Sequence, residues 1–204
     1  MDIRYITGDE KGWLLARKPT GVQIELPEYL KVEFIKTEKD AARNETRDHF
    51  KNLEGRERGT SVSVRQKPGG GSWLVKGDPG WRGAAQVRFS LSKKELTYPG
   101  GPKLIAVSEG GPHVPVGTHD LELPDVSHKF GEHYLGVAKR AKSWFFIGHS
   151  MNGAGINNRY LHVGNFSAGC VTVQSREGWD QLYRYLILTR KGDGKSVGAI
   201  TVAP

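Results

Sequence analysis

The chain contains one cysteine, Cys170, in the run Phe166-Ser167-Ala168-Gly169-Cys170-Val171-Thr172-Val173. A lone cysteine can form neither an intramolecular disulfide nor a CxxC metal site. It is then a small buried hydrophobe, a chance thiol or a nucleophile. The small-Gly-Cys turn feeding a β-branched strand favours the nucleophile. Gly169 permits a sharp turn, and the N–H groups of Gly169 and Cys170 are candidate donors to a developing oxyanion. A free thiol is mostly protonated at neutral pH, so a neighbouring base or cation is required. The two histidines nearest before the cysteine are His162 in Tyr160-Leu161-His162-Val163 and His149 at the end of Trp144-Phe145-Phe146-Ile147-Gly148-His149. His162 is the first candidate base. If residues 160–163 and 170–173 pair as antiparallel strands, the short Gly164–Ser167 connection sets it beside the thiol. His149 is the second candidate. Ser167 either orients the histidine or is an ordinary turn residue. The loop Met151–Asn158 reads as a rim of the site or as a passive connector.

Short strands must position these groups. Trp13–Ala16 and Val22–Leu26 flank a Lys18-Pro19-Thr20-Gly21 turn, and Leu30–Ile35 alternates with period two. Residues 37–58 are highly charged with few apolar positions, which predicts a solvated helix or a linker. Gly59–Lys67 alternates again before a Pro68–Ser72 turn. Asp78-Pro79-Gly80 begins a predicted boundary near residues 78–83. Beyond it, Ala85–Leu91, Leu96–Tyr98, Lys103–Ser108 and Val114–Pro124 read as strands, and Val197–Val202 closes the series. One helix is predicted near 176–191. Trp179, Leu182, Tyr183, Leu186 and Ile187 recur at helical spacing, with Ser175 as candidate N-cap and Gly192 past the end. The fold class is therefore mainly β with one principal C-terminal helix, plus a small N-terminal β-rich module over residues 1–80.

The 204 residues carry a formal charge of +8. Residues 1–80 hold 15 Lys and Arg against 13 Asp and Glu, and residues 81–204 hold 15 against 9. The excess favours an anionic partner such as nucleic acid, acidic lipid or a cell-wall polymer. No basic stripe interleaved with aromatics appears, so nucleic acid is disfavoured. No apolar run reaches the ~20 residues of a spanning helix, so stable membrane insertion is not expected. His113, His119, His128 and His133 lie near Asp120 and Asp125, but without a recognised ligand spacing, so neither metal nor cofactor is predicted.

The order of these pieces resembles the catalytic domain of L,D-transpeptidases, the YkuD-like family of peptidoglycan enzymes, over residues 84–204. Residues 87–105 resemble its opening hairpins. Val114-Pro115-Val116-Gly117-Thr118-His119-Asp120-Leu121 resembles its Thr-Pro-Thr-Gly segment, and His162 with Ser167-Ala168-Gly169-Cys170-Val171 resembles its His…Ser-x-Gly-Cys signature. Ala168 stands where the family has His, Thr172 where it has Arg or Asn, and the gap from His162 to Cys170 is shortened. That shortening resembles variants delivered as antibacterial toxins by type VI secretion. The resemblance implies a β-sandwich or mixed sheet and cysteine acyl transfer on peptidoglycan stem peptides, as transpeptidase, D-amino-acid exchange enzyme or L,D-carboxypeptidase. An effector would also have an immunity protein as partner. The first residues, Met1-Asp2-Ile3-Arg4-Tyr5, lack a secretory pattern, so delivery to the cell wall by another system is expected. The residues leave one alternative open, a non-enzymatic β-rich module that binds an anionic polymer and buries Cys170.

Overall fold

The computed structural model describes residues 1–148 and 158–204, which divide into two units, Met1–Trp81 and Arg82–Pro204. His149 and all but the last residue of the Met151–Asn158 loop lie outside the described residues.

The first unit is built from β1 (Asp2–Ile6), β2 (Trp13–Arg17), β3 (Gln23–Pro27), β4 (Lys31–Asp40), β5 (Glu45–Asn52), β6 (Ser61–Arg65) and β7 (Leu74–Lys76). They form one antiparallel sheet in the order β3-β2-β6-β5-β4-β1-β7. Alternation puts Leu14, Val32, Phe50, Val62 and Val64 into its core.

The helix or linker predicted for residues 37–58 is instead largely a β-hairpin of β4 and β5, turned at Ala41–Asn44 with Asn44 in the left-handed region at φ 50°. Charge hid it because polar cross-strand pairs take the place of apolar alternation. Thr37 donates to Asp48 at 2.7 Å, and Glu38 faces Lys36 and His49. The largely buried Arg47 donates to Ser63 Oγ and to the Ser63 carbonyl, both at 3.0 Å.

The second unit comprises β8 (Ala85–Ser90), β9 (Glu95–Thr97), β10 (Leu104–Val107), β11 (Gly117–Glu122), β12 (Phe145–Gly148), β13 (Tyr160–Val163), β14 (Val171–Val173) and β15 (Ser196–Ala203). These strands close into a barrel in the order β10-β14-β13-β12-β11-β15-β8-β9. Two pairs are parallel, β13 with β14 and β15 with β8. The chain is mainly β, and among the described residues it has one α-helix, α1 (Trp179–Ile187), near its C-terminal end. Trp179, Leu182, Tyr183, Leu186 and Ile187 form its buried stripe, and Phe145 of β12 meets the rings of Trp179 and Tyr183. The α-helix is shorter than predicted because residues 176–178 form a 3₁₀ turn. Ser175 does not cap α1. Its hydroxyl accepts the Ile105 N–H instead, and Gly178 occupies the N-cap without a side-chain bond.

Candidate active site

The site is laid out on three neighbouring strands. The register Leu161↔Val171 and Val163↔Val173 turns Leu161, Val163, Val171 and Val173 into the core. The alternate residues share the other face. Extending the registers by one step gives two rungs, Phe146–Tyr160–Cys170 and Trp144–His162–Thr172. The expected antiparallel pairing of residues 160–163 with 170–173 is therefore corrected. The seven residues between the two strands form a crossover that returns parallel, not a hairpin. Cys170 stands two residues before Thr172, diagonal to His162, a separation of about 7–8 Å between backbones that side chains can span.

Gly169 turns the chain into Cys170 at φ 95°. A Cβ there would lie 2.3 Å from the Pro112 carbonyl oxygen and 2.7 Å from the Arg159 guanidinium. Both the conformation and the space therefore demand glycine. Ser167 ties this turn. Its hydroxyl donates to the Cys170 carbonyl at 2.7 Å and accepts the Gly169 N–H at 3.1 Å. The Gly169 N–H also reaches the Glu109 carbonyl at 2.8 Å. It is thus already committed, and of the two expected oxyanion donors the Cys170 N–H is the one left to serve. Ser108 adds a third tie by donating to the Gly169 carbonyl at 3.1 Å, while His113 stands 3.4 Å from the Ser108 hydroxyl.

Cys170 is 9% exposed, and its sulfur lies 3.9 Å from the Asn158 carbonyl. Burial pushes the thiol above its ordinary value, against the opposing pull of the Tyr160 N–H and the Arg159 charge. Arg159 is itself 6% exposed and donates to the Pro112 carbonyl and to Asn158 Oδ1, each at 2.9 Å. A buried guanidinium beside a thiol is a cation that favours the thiolate once the sulfur loses its proton. Arg159 carries no signal in the sequence, because nothing in Asn158-Arg159-Tyr160 marks an arginine that folds back onto the Gly169 turn.

His162 is 7% exposed, with both ring nitrogens engaged. Nδ1 lies 2.9 Å from the Val163 carbonyl and Nε2 lies 3.1 Å from Thr172 Oγ1. A carbonyl only accepts, so Nδ1 carries the proton and Nε2 is the basic nitrogen, taking the Thr172 O–H. In this resting arrangement the imidazole meets Thr172 and not the sulfur. Trp144 stacks on His162 with ring centroids 4.2 Å apart and on its other face stacks on His128, also at 4.2 Å. His128 is held by Asp125 at 3.1 Å, and the Tyr160 hydroxyl donates to the same carboxylate at 3.2 Å. Of the remaining histidines, His119 meets the Pro115 carbonyl and His133 is exposed on a 3₁₀ turn. Among the described residues no cluster of three potential metal ligands forms.

Burial lowers the His162 pKa from 6.5 to about 4, the charge of His128 adding to the effect and the Val163 carbonyl opposing it. The unfolded chain therefore takes this proton at higher pH than the folded one. Stability tied to the neutral ring is complete above pH 6.5 and is lost as pH falls towards 4, by roughly 3 kcal/mol in all. Urea titrations at pH 7 and pH 4.5 should show this loss in the wild type, and His162→Gln should show a smaller one. Equal losses in both proteins would place the acid sensitivity elsewhere.

Comparison with known proteins adds little to this geometry. No family model matches the chain, and no curated protein matches it. Among solved structures the chain is similar to L,D-transpeptidase 1 of Mycobacterium tuberculosis, at 12% identity over 96% of this chain and 88% of that one, with a TM-score of 0.36. It is also similar to an L,D-transpeptidase from Mycobacterium tuberculosis H37Rv, at 15% identity over 86% of this chain and 80% of that one, with a TM-score of 0.34. Likeness at this level transfers no residue role.

Proposed function

We propose that residues 82–204 form a cysteine acyl-transfer enzyme acting on peptidoglycan stem peptides, with Cys170 as nucleophile and His162 as base. The observation that carries this reading is the placement of Cys170. It follows a glycine turn fixed by Ser167, Ser108 and Glu109, has a cationic neighbour in Arg159, and shares a strand face with an imidazole whose Nε2 is basic. The sequence resemblance over the same segment supplies the substrate class.

In the resting site both groups are neutral. Burial holds the thiol up and the imidazole down, so ionisation accompanies catalysis and does not precede it. Thr172 Oγ1 also lies 3.2 Å from the Phe166 carbonyl. Turning its proton there releases His162 Nε2. The thiol proton then passes to Nε2 as sulfur attacks the peptide carbonyl carbon, and the oxyanion draws on the Cys170 N–H. The C–N bond breaks, the leaving amine takes the proton from the imidazolium, and a thioester remains. An amine acceptor forms a new amide and regenerates the thiol; water gives a free carboxylate instead. Acting in the periplasm or wall, the carboxypeptidase or exchange form of this reaction would serve an antibacterial effector, whose producer would need an immunity protein.

The burial of Cys170 favours one other reading, a binding module for an anionic polymer in which the cysteine only packs. Incubation with purified peptidoglycan, followed by mass spectrometry of the muropeptides, separates the two. Trimmed, exchanged or newly crosslinked stems are expected; an unaltered muropeptide profile alongside retained wall binding would favour the module.

A further inference from the structure

The wall of the barrel formed by β11, β15, β8 and β9 lies on the far side of the ring from β14, which carries Cys170 into the site. The pairings Thr118↔Thr201, Thr201↔Arg88 and Arg88↔Thr97 place four polar side chains in one line across these strands. Three strand spacings make that line about 14 Å long, the length of a short oligosaccharide and not of a single ion. Beside it Ala199 leaves the wall low, and Tyr98 bounds a groove of about 510 Å³. The Thr118 and Thr201 hydroxyls lie 3.1 Å apart. Tyr98 is 7% exposed, yet its hydroxyl is buried without a hydrogen-bond partner among the described residues. Tyr98 therefore shapes the groove without offering it a reachable hydroxyl, and the polar side chains open to a ligand are those of Arg88, Thr97, Thr118 and Thr201. A second hollow of about 210 Å³ shares Tyr98 and Pro99 and adds Arg82 and Arg184. None of the three arginines makes an ion pair among the described residues.

We propose that this wall is a second binding site, separate from Cys170, for an acidic saccharide. The threonine hydroxyls match a polyhydroxylated ligand, and the unpaired guanidinium groups match carboxylates on it. A peptide is a poorer match, because a closed barrel offers no free strand edge to extend. A nucleic acid is also a poorer match, because the Tyr98 ring is buried and gives bases no stacking face. The choice of saccharide rests on the peptidoglycan reading above. Glycan strands freed of their stem peptides expose a lactyl carboxylate on each muramic acid, combining both chemistries. Since the groove is across the barrel from Cys170, the site anchors the enzyme to a strand other than the one whose stem is reacting.

The test uses the full chain carrying Cys170→Ala, titrated by calorimetry with stem-free glycan strands. Saturable binding is expected, weakened about tenfold by Arg88→Ala and a few-fold by Thr201→Val, as loss of a charged and of a neutral hydrogen bond should give. Neutral N-acetylglucosamine oligomers and polyglutamate should each bind at least about tenfold more weakly, since each offers one of the two chemistries. Arg88→Gln is the second variant should Arg88→Ala disturb folding, because it keeps the side chain's stem. No binding, or binding unchanged by the variant that folds, would overturn the proposal. Equal affinity for polyglutamate would also overturn it, by reducing the effect to charge. Stem-peptide turnover by the chain with native Cys170 is scored separately. Turnover without glycan binding removes the second site alone, while glycan binding without turnover removes only the catalytic reading.

Discussion

Cys170→Ala is expected to reduce turnover of stem peptides by about 10³-fold or more, because no thioester can form without the sulfur. The protein should remain folded. A small, mostly buried side chain is replaced by a slightly smaller one, at a cost of about 1 kcal/mol. Cys170→Ser should be nearly as inactive, since a serine hydroxyl in this neutral, desolvated site lacks the acidity of a thiol. In cells, wild-type protein directed to the bacterial periplasm should damage the wall, and Cys170→Ala protein should not. That comparison matters because a chain of charge +8 can injure membranes by charge alone. Equal toxicity, or undiminished turnover by Cys170→Ala, would end the enzyme reading.

The largest expected effect on stability is that of Gly198→Val. Gly198 pairs with Ala85 at the seam where β15 meets β8. A Cβ at this position would lie 2.2 Å from the Ala85 carbonyl oxygen and 2.3 Å from its nitrogen. Backbone cannot yield as a flexible side chain can, so the two strands must separate. The substitution should cost about 3 kcal/mol or more, or prevent folding of the second unit. Gly83→Ala is the matched control, because nothing lies within 4 Å of a Cβ there and its φ is unstrained. Denaturant midpoints compare the two. A Gly198→Val protein as stable as the control would mean that the seam is not required for the fold.

The strands and the helix were legible wherever apolar periodicity was strong. Leu182, Tyr183 and Leu186 announce α1, and the turn at Lys18–Gly21 announces the β2–β3 hairpin. The β4–β5 hairpin was not legible, because Asp48 and Arg47 are buried by polar partnership and not by hydrophobicity. Cys170, Ser167 and Gly169 could be picked out locally, since a glycine turn into a strand has its own pattern. The direction of β14 relative to β13 could not, because seven residues suffice for either a loose hairpin or a crossover. With that direction went the engagement of His162 by Thr172. Trp144 and Arg159 escaped for a related reason. Each reaches the site from a strand or strand end that sequence spacing does not place beside it.

The parallel seam between β8 and β15 also sets a timetable. The first unit pairs strands drawn wholly from residues 1–81. The barrel instead joins Ala85 to Gly198, partners separated by nearly the whole length of the second unit. On a ribosome that emits the chain from its N-terminus, the first unit can fold while the barrel still lacks its closing strand. Contacts of such long range are slow to form, because the loop between them must be closed before any pairing rewards it. The barrel that carries Cys170 is therefore closed late, and it remains open in the nascent chain until residues 196–203 have been released.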